Sequence, residues 1–268
     1  MAHTVHIDAA LCIGCGACVS DCPASNIELR QEAGGAGASR QIARVWEPDA
    51  CLFCGHCEAI CPAGAVTLTG FAEEPEEVEG PVRLDPDVLL QAIRTRRSVR
   101  HFKPEPVPEE IIEKILEAGR LTQTAKNSQR QSYAVIREHL PAFEKIAVAS
   151  LRQILGADEE GGGTNALGRT KITEHFFFFG APLVITVLSP SKTDGCLAAE
   201  NMALMAEACG LGVLFSGFFC DVANGTPALR EMLGIDDTRQ AVATLVLGQP
   251  DIRYRRTVRR EPAKVTWL

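Results

Sequence analysis

No stretch of this 268-residue chain is long and apolar enough to promise a membrane helix. The longest apolar run, from Phe176 to Leu188, is broken by Gly180 and Pro182 and falls short of the roughly 20 residues a span requires. Met1 to Ala10 is a short polar–apolar mix with Asp8 in it, not a secretory leader. A disulfide framework of the secreted kind is therefore not expected, and a reducing cytoplasm is the expected location. Lysine is absent from residues 1–80, which carry twelve Asp/Glu against three Arg, a net charge of −9. Residues 81–268 carry 22 acids and 24 bases, a net of +2. The acidic N-terminal part reads either as a solvated surface or as a docking face for a basic redox partner. The arginines sit in short motifs rather than along a broad basic face, which excludes a nucleic-acid reading. There is no Gly-rich dinucleotide fingerprint, and the six histidines show no paired metal spacing.

Cysteine, by contrast, is abundant. Eight of the eleven stand in two copies of one pattern, Cys12-Cys15-Cys18-Cys22-Pro23 and Cys51-Cys54-Cys57-Cys61-Pro62. Each reads C-x2-C-x2-C-x3-C-P, the run that holds 4Fe-4S clusters in bacterial ferredoxins. Three thiolates at three-residue spacing can wrap one face of a compact cluster. In two-cluster ferredoxins the fourth ligand comes from the other run. That rule predicts one cage of Cys12, Cys15, Cys18 and Cys61, and a second of Cys51, Cys54, Cys57 and Cys22. Zinc knuckles pair C-x2-C units but do not add a third cysteine at the same spacing and then Cys-Pro. Gly14, Gly16 and Gly55 let the backbone approach the clusters. His56, inside the second run, either tunes that cluster's potential or faces solvent. The pattern predicts electron transfer.

The chain divides on composition into a cluster domain over 1–72, an acidic, proline-broken linker over 73–86 and a larger domain over 87–268. Gln31 to Arg40, with Gly34, Gly35 and Gly37, reads as a mobile loop between the motifs, and 66–68 as a short strand. Asp85-Pro86 reads as a helix start, with Val88, Leu89, Ala92 and Ile93 on one face. A second helix begins at Pro108. Strands are expected at 133–137, 183–188, 213–219 and 243–248, and helices at 141–155, 197–209 and 227–233. Gly210 stands where a helix ends, and Glu159 to Thr164 reads as a flexible loop. The alternation gives an α+β domain, a mixed sheet with flanking helices. Phe176 to Phe179 reads as core or dimer interface, with the wall of a substrate pocket as the alternative. Cys196, Cys209 and Cys220 read as buried small hydrophobes.

The turn Arg94-Thr95-Arg96-Arg97-Ser98-Val99-Arg100 gathers guanidiniums and a hydroxyl into an anion cradle. Here the chain resembles the nitroreductase superfamily, whose members open with Arg-Arg-Ser-x-Arg followed by Phe. Arg96, Arg97, Ser98, Arg100 and Phe102 match that motif. Thr124-Ala125-Lys126-Asn127-Ser128-Gln129 is similar to the family's Asn-x-Gln loop. Leu211 to Gly217 is similar to its flavin-facing strand, and Gly248-Gln249-Pro250 with Arg256 and Arg260 to its closing turn and phosphate-side arginine. Arg130 and Gln131 replace the usual Pro-Trp, and Gln249 replaces a tyrosine, so the resemblance does not name the substrate.

The resemblance implies a nitroreductase-like domain behind a small ferredoxin-like domain, with FMN at a homodimer interface. It implies that Arg96, Arg97, Ser98 and Arg100 grip the phosphate and ribityl tail. The Ser216–Gly217 backbone would then lie along the ring, with Thr124, Asn127 and Gln129 reaching the flavin of the other subunit and Arg256 and Arg260 closing the phosphate side. No side chain stands out as a general acid, so the flavin itself is expected to be the reactive group. Two function classes remain open on these residues. One is an enzyme that passes electrons through two 4Fe-4S clusters and FMN to an electron-poor small molecule, a nitroaromatic or a quinone. The other is a carrier that relays electrons between redox proteins. A ferredoxin- or flavodoxin-type protein is a candidate donor, and direct reduction by a nicotinamide is a second route.

Overall fold

A computed structural model describes residues 3–33, 39–156 and 171–268. The chain falls into two compact units. Met1–Arg83 with Ala125–Ser128 forms the first, and Leu84–Thr124 with Gln129–Leu268 the second.

In the first unit, β1 (Thr4–Ile7) is followed by the one-turn helix α1 (Ala17–Ser20), the hairpin β2 (Ile27–Ala33) and β3 (Ser39–Val45), the one-turn helix α2 (His56–Ala59) and β4 (Val66–Thr69). β1 and β4 pair antiparallel, from Thr4 opposite Thr69 to Ile7 opposite Val66. β2 and β3 pair from Ile27 opposite Val45 to Ala33 opposite Ser39. The loop expected from Gln31 to Arg40 is thus corrected at both ends. Gln31–Ala33 and Ser39–Arg40 are ladder residues, because the strand alternation runs through them toward the glycines. The core is small: Ile7, Ile27, Ala43, Val66 and Leu68 pack with Cys18 and Cys57. A chain this short buries too little apolar surface for comfort, so the cysteine cages have to share in holding it.

The second unit opens with α3 (Pro86–Thr95). Asp85 caps it, accepting from the N–H groups of Asp87 at 2.9 Å and Val88 at 3.0 Å. Then come α4 (Glu109–Arg120), β5 (Ser132–Ile136), α5 (Leu140–Leu155), β6 (Leu183–Ser189), α6 (Lys192–Ala208), β7 (Gly212–Phe215), α7 (Gly217–Gly225), α8 (Pro227–Leu233) and β8 (Gln240–Gly248). The sheet order is β5-β6-β8-β7, antiparallel throughout. One parallel bridge, Ser98 to Val213, adds the Arg-rich turn to its edge.

Every residue of β6 is buried, which is why it reads as a continuous apolar run. On one face, Ile185, Val187, Leu245 and Leu247 meet Ile112 and Ile115 of α4 and Met202 of α6. On the other, Val184 and Val246 meet Phe143, Phe219 and Leu229 of α5, α7 and α8. Thr186 and Thr244, buried in mid-sheet, satisfy each other at 3.0 Å.

Several expectations shift. The apolar run 213–219 divides: the strand stops at Phe215, Ser216 stands at the boundary without a side-chain capping bond, and Gly217 opens α7. α6 starts at Lys192, five residues before the expected Leu197, because Ser191 caps it by accepting from Asp194 N at 3.2 Å. Gly210, left-handed at φ 83°, follows the C-cap residue Cys209 of that helix. Phe177 and Phe178 are core residues, their N–H groups donating to the buried Glu144 carboxylate at 2.9 and 2.7 Å. Cys220 is buried as expected, but Cys209 is only half-buried and Cys196 is exposed, contrary to the expectation. It lies near the start of α6, and its thiol donates to Val242 O of β8 at 3.8 Å. The segment 159–164 lies outside the described residues.

Candidate functional site

The first unit holds two cages. Cys12, Cys15, Cys18 and Cys61 line one cavity. Cys22, Cys51, Cys54 and Cys57 line the other. The fourth cysteine of each motif therefore stands with the first three of the other. Local turns build this. Gly16 at φ 76° and Gly55 at φ 79° precede α1 and α2, and each one-turn helix buries the third cysteine of its motif, Cys18 and Cys57.

Backbone donors face the sulfurs. In the first cage Ala43 N donates to Cys12 Sγ at 3.4 Å and Ala65 N to Cys61 Sγ at 3.3 Å. In the second, Asn26 N donates to Cys22 Sγ at 3.3 Å and Phe53 N to Cys51 Sγ at 3.4 Å. Such N–H groups favour negative charge on sulfur.

Burial pushes the Cys18 thiol up, and the neighbouring Cys12, Cys61 and Cys15 push it further. Burial, then Cys51, pushes Cys57 up to about 11. Burial of these two thiols disfavours their ionisation until a cation joins them. Among the described residues no such group is arranged for a single metal ion. The residues present fit a 4Fe-4S cluster, whose several iron atoms spread the four ligands apart.

The second unit holds an open cleft of about 1030 Å³, lined by Arg96, Arg97, Ser98, Arg100, Arg260 and Phe215, with Glu200 and Glu207 at its side. The Arg-rich turn is stitched down at both ends. Val99 N donates to Val213 O at 3.0 Å, and Lys103 N to Gln249 O at 2.9 Å. Gly212 is needed there, since a Cβ would meet the Val99 side chain at 2.8 Å.

Arg96 is engaged by two carboxylates, Glu200 at 2.5 Å and Glu207 at 3.2 Å. Burial works against its charge, but the Glu200 and Glu207 hydrogen bonds outweigh it and raise its pKa. Burial likewise raises Glu207, against the pull of Arg96. Glu200 and Glu207 escape sequence reading, although their seven-residue spacing puts both on one face of α6. The Arg97 guanidinium lies 5.1 Å from the Tyr254 ring centre, and the Tyr254 hydroxyl donates to Ser98 O at 3.3 Å. Arg100 lies 5.8 Å from the Phe179 ring. Among the described residues Arg97, Arg100 and Arg260 make no ion pair, so three cations face the cleft with charge to spare. Arg256 is exposed outside the lining, Ser216 is buried, and Gly217 is exposed at the start of α7. A phosphate fits this cradle.

Thr124 and Gln129 stand in the second unit, where Gln129 N donates to Thr124 Oγ1 at 3.1 Å. Asn127, between them in sequence, belongs to the first unit and donates from Nδ2 to Phe53 O at 2.9 Å.

Comparison with known proteins agrees with both halves. The Nitroreductase family model matches residues 93–249, and a 4Fe-4S dicluster domain model matches residues 11–65. An NADPH-dependent oxidoreductase of Staphylococcus aureus (strain N315) is 27% identical over 176 residues, 61% of this chain and 65% of that protein. Among solved structures, a nitroreductase with bound FMN from Bacteroides fragilis superposes with a TM-score of 0.53 at 18% identity, covering 66% of this chain and 98% of that one. One from Desulfitobacterium hafniense, also with bound FMN, does so at 0.53 and 21%, covering 67% and 97%. These two show a shared fold.

Proposed function

Because the chain belongs to the nitroreductase family, we propose that it is an iron–sulfur flavoprotein oxidoreductase that takes electrons from a low-potential donor into two 4Fe-4S clusters and FMN. The acceptor class is an electron-poor small molecule, a nitroaromatic or a quinone. The observation that carries this reading is the pairing of two crossed four-cysteine cages with a cleft lined by Arg97, Arg100 and Arg260, which make no ion pair among the described residues.

FMN, when bound, accepts electrons singly and releases them as a pair in a hydride. The chain's own residues bind and orient. Arg97, Arg100 and Arg260 take the phosphate, and Ser98 lies beside them for the ribityl hydroxyls. Arg96 is the exception among the four matched positions, since Glu200 and Glu207 already hold it. Its role is to anchor the turn to α6. Gly217, without a side chain at the α7 start, leaves the Ser216–Gly217 peptide open to a ring edge, and Thr124 and Gln129 reach the flavin of the other subunit. Arg256 lies outside the cleft lining and serves the phosphate side in this reading only through the outer shell of charge. In this reading the protons come from water.

The helix α3 has no buried residue, and Val88, Leu89, Leu90 and Ile93 on it are exposed. A second copy of the chain is the proposed cover, giving a homodimer. No helix among the described residues is long and apolar enough to cross a membrane, and a cytoplasmic location completes the proposal.

The test is anaerobic mixing of the full-length protein. Reduced ferredoxin and NADPH are offered separately as donors, then a nitroaromatic or a quinone as acceptor, with the flavin and cluster bands followed together. Rapid flavin re-oxidation by a small molecule supports the enzyme. Re-oxidation only by another redox protein supports the carrier reading and removes this one. Protein purified without flavin absorbance, and unable to take FMN up, removes both.

A further inference from the structure

Glu200 and Glu207 line the cleft of the second unit, yet seating a phosphate there calls for no carboxylate. Both stand on α6. Arg96 bonds to both, from Nη1 to Glu200 at 2.5 Å and from Nε to Glu207 at 3.2 Å. Two carboxylates share one guanidinium, so this wall of the cleft carries one negative charge in excess. Exposure sharpens the sign. The Arg96 side chain is only 17% exposed, whereas that of Glu200 is 50% and that of Glu207 26%. The wall therefore presents carboxylate, with the guanidinium withdrawn from solvent.

The other charged lining residues are Arg97, Arg100 and Arg260. Three cations suit one terminal phosphate, which as a monoester carries up to about two negative charges. Once that phosphate is seated, the lining offers no further unpaired cation. A flavin dinucleotide brings a second phosphate joined to the first. It would sit without a counter-ion in a cleft whose remaining excess charge is that of the two carboxylates. Like charges set against the wrong ligand cost it affinity and take nothing from the right one.

On the reading of this cleft as a flavin site, we propose that Glu200 and Glu207 are specificity residues that restrict it to the mononucleotide by opposing the second phosphate of a dinucleotide. This gives the diversion of Arg96 a purpose. With Arg96 free and the two glutamates neutral, four cations would line the cleft and a pyrophosphate would be matched as well as a monophosphate. Held between the carboxylates, Arg96 keeps them in place and leaves their excess charge standing.

The test is competition on the full chain as purified. Wild type, Glu200→Gln, Glu207→Gln and the double variant are each dialysed to complete exchange against FMN with FAD, and separately against FMN with riboflavin. The bound flavins are then released and counted by chromatography. Glutamine keeps an oxygen that can accept from Arg96, so the turn stays tied to α6. Wild type should prefer FMN to both competitors. Each single variant should lower the FMN-to-FAD preference about threefold and the double variant about tenfold. The FMN-to-riboflavin preference should hold or rise, because no phosphate contact has been removed. A purely structural role would weaken FMN and FAD alike and leave their ratio unmoved, and that result overturns the proposal. So does a wild type that takes FAD as readily as FMN, or single variants that lose flavin altogether. A wild type with no preference for FMN over riboflavin removes the phosphate reading of the cleft itself, and the proposal with it.

Discussion

Replacing Gly14 with alanine should be far more damaging than the same change at Gly55, although both glycines are left-handed and both sit in cluster motifs. The conformational cost is common to the two, about 1 kcal/mol for placing alanine at positive φ. At Gly55 the new methyl meets nothing within 4 Å, so that cost is the whole effect. At Gly14 the methyl would lie 2.4 Å from Gln41 O, far inside the 3.4 Å where ordinary contact begins. The obstacle is backbone. Gln41 is paired with Gln31 in the β2–β3 ladder, and two residues on, Ala43 N donates to Cys12 Sγ. Pushing β3 away to admit the methyl loosens that donor, adding about 1–3 kcal/mol of overpacking. Cluster loss is irreversible, so the proper quantity is a rate. Bleaching of the cluster absorbance in anaerobic denaturant should be roughly five- to tenfold faster than wild type for Gly55→Ala. For Gly14→Ala it should be faster again by tenfold or more. Equal rates for the two variants, or a faster loss from Gly55→Ala, would show that the close approach of Gln41 does not govern the first cage.

Cys61→Ser should remove a ligand from the cage of Cys12, Cys15 and Cys18 and leave the other cage's four cysteines intact; EPR of the reduced protein should lose or alter one cluster signal only. Arg97→Ala should weaken FMN binding about 10- to 100-fold, as expected for losing a charge-assisted hydrogen bond to phosphate, measured by flavin fluorescence on dilution. Leu90→Glu on α3 should shift the protein toward monomer in sedimentation velocity, since a charge on that face opposes its burial. Cys220, pushed up to about 11 mainly by burial, should resist alkylation at pH 8 while the exposed Cys196 reacts, as peptide mapping would show. The sign for stability follows. The unfolded thiol, near 9.0, ionises first, so the contribution of Cys220 is whole below about pH 9 and is lost as pH rises through about 11.

What was legible in the sequence was whatever depends on neighbours along the chain. The cysteine spacing encodes the wrap around a cluster directly, and Asp85-Pro86 encodes a helix start because a cap is a local hydrogen bond. The hairpin of β2 and β3 was obscured by the glycines between its strands, which drew Gln31 and Arg40 into an apparent loop. The run 213–219 could not be divided by hydrophobicity alone, since strand and helix share it across Ser216. Long-range pairings left no signal. Arg96 finds Glu200 and Glu207 more than a hundred positions away, and nothing near Arg96 distinguishes it from Arg97, which finds Tyr254 instead. Asn127 matched a family loop, and only the structure shows its amide spent on Phe53.

The crossing of the two cysteine motifs also bears on how the protein is made. During synthesis Cys12, Cys15, Cys18 and Cys22 emerge well before Cys51 and its followers, yet neither cage can be closed from the first motif alone. The first must wait for Cys61, the last of the eight to leave the ribosome, and the second, which already has Cys22, waits for Cys51, Cys54 and Cys57. Insertion of iron and sulfide is therefore deferred until the whole segment is in hand, and β1 can meet β4 only then. A nascent chain interrupted between the motifs carries thiols but no finished cage, so maturation of the two centres is tied to one event rather than two.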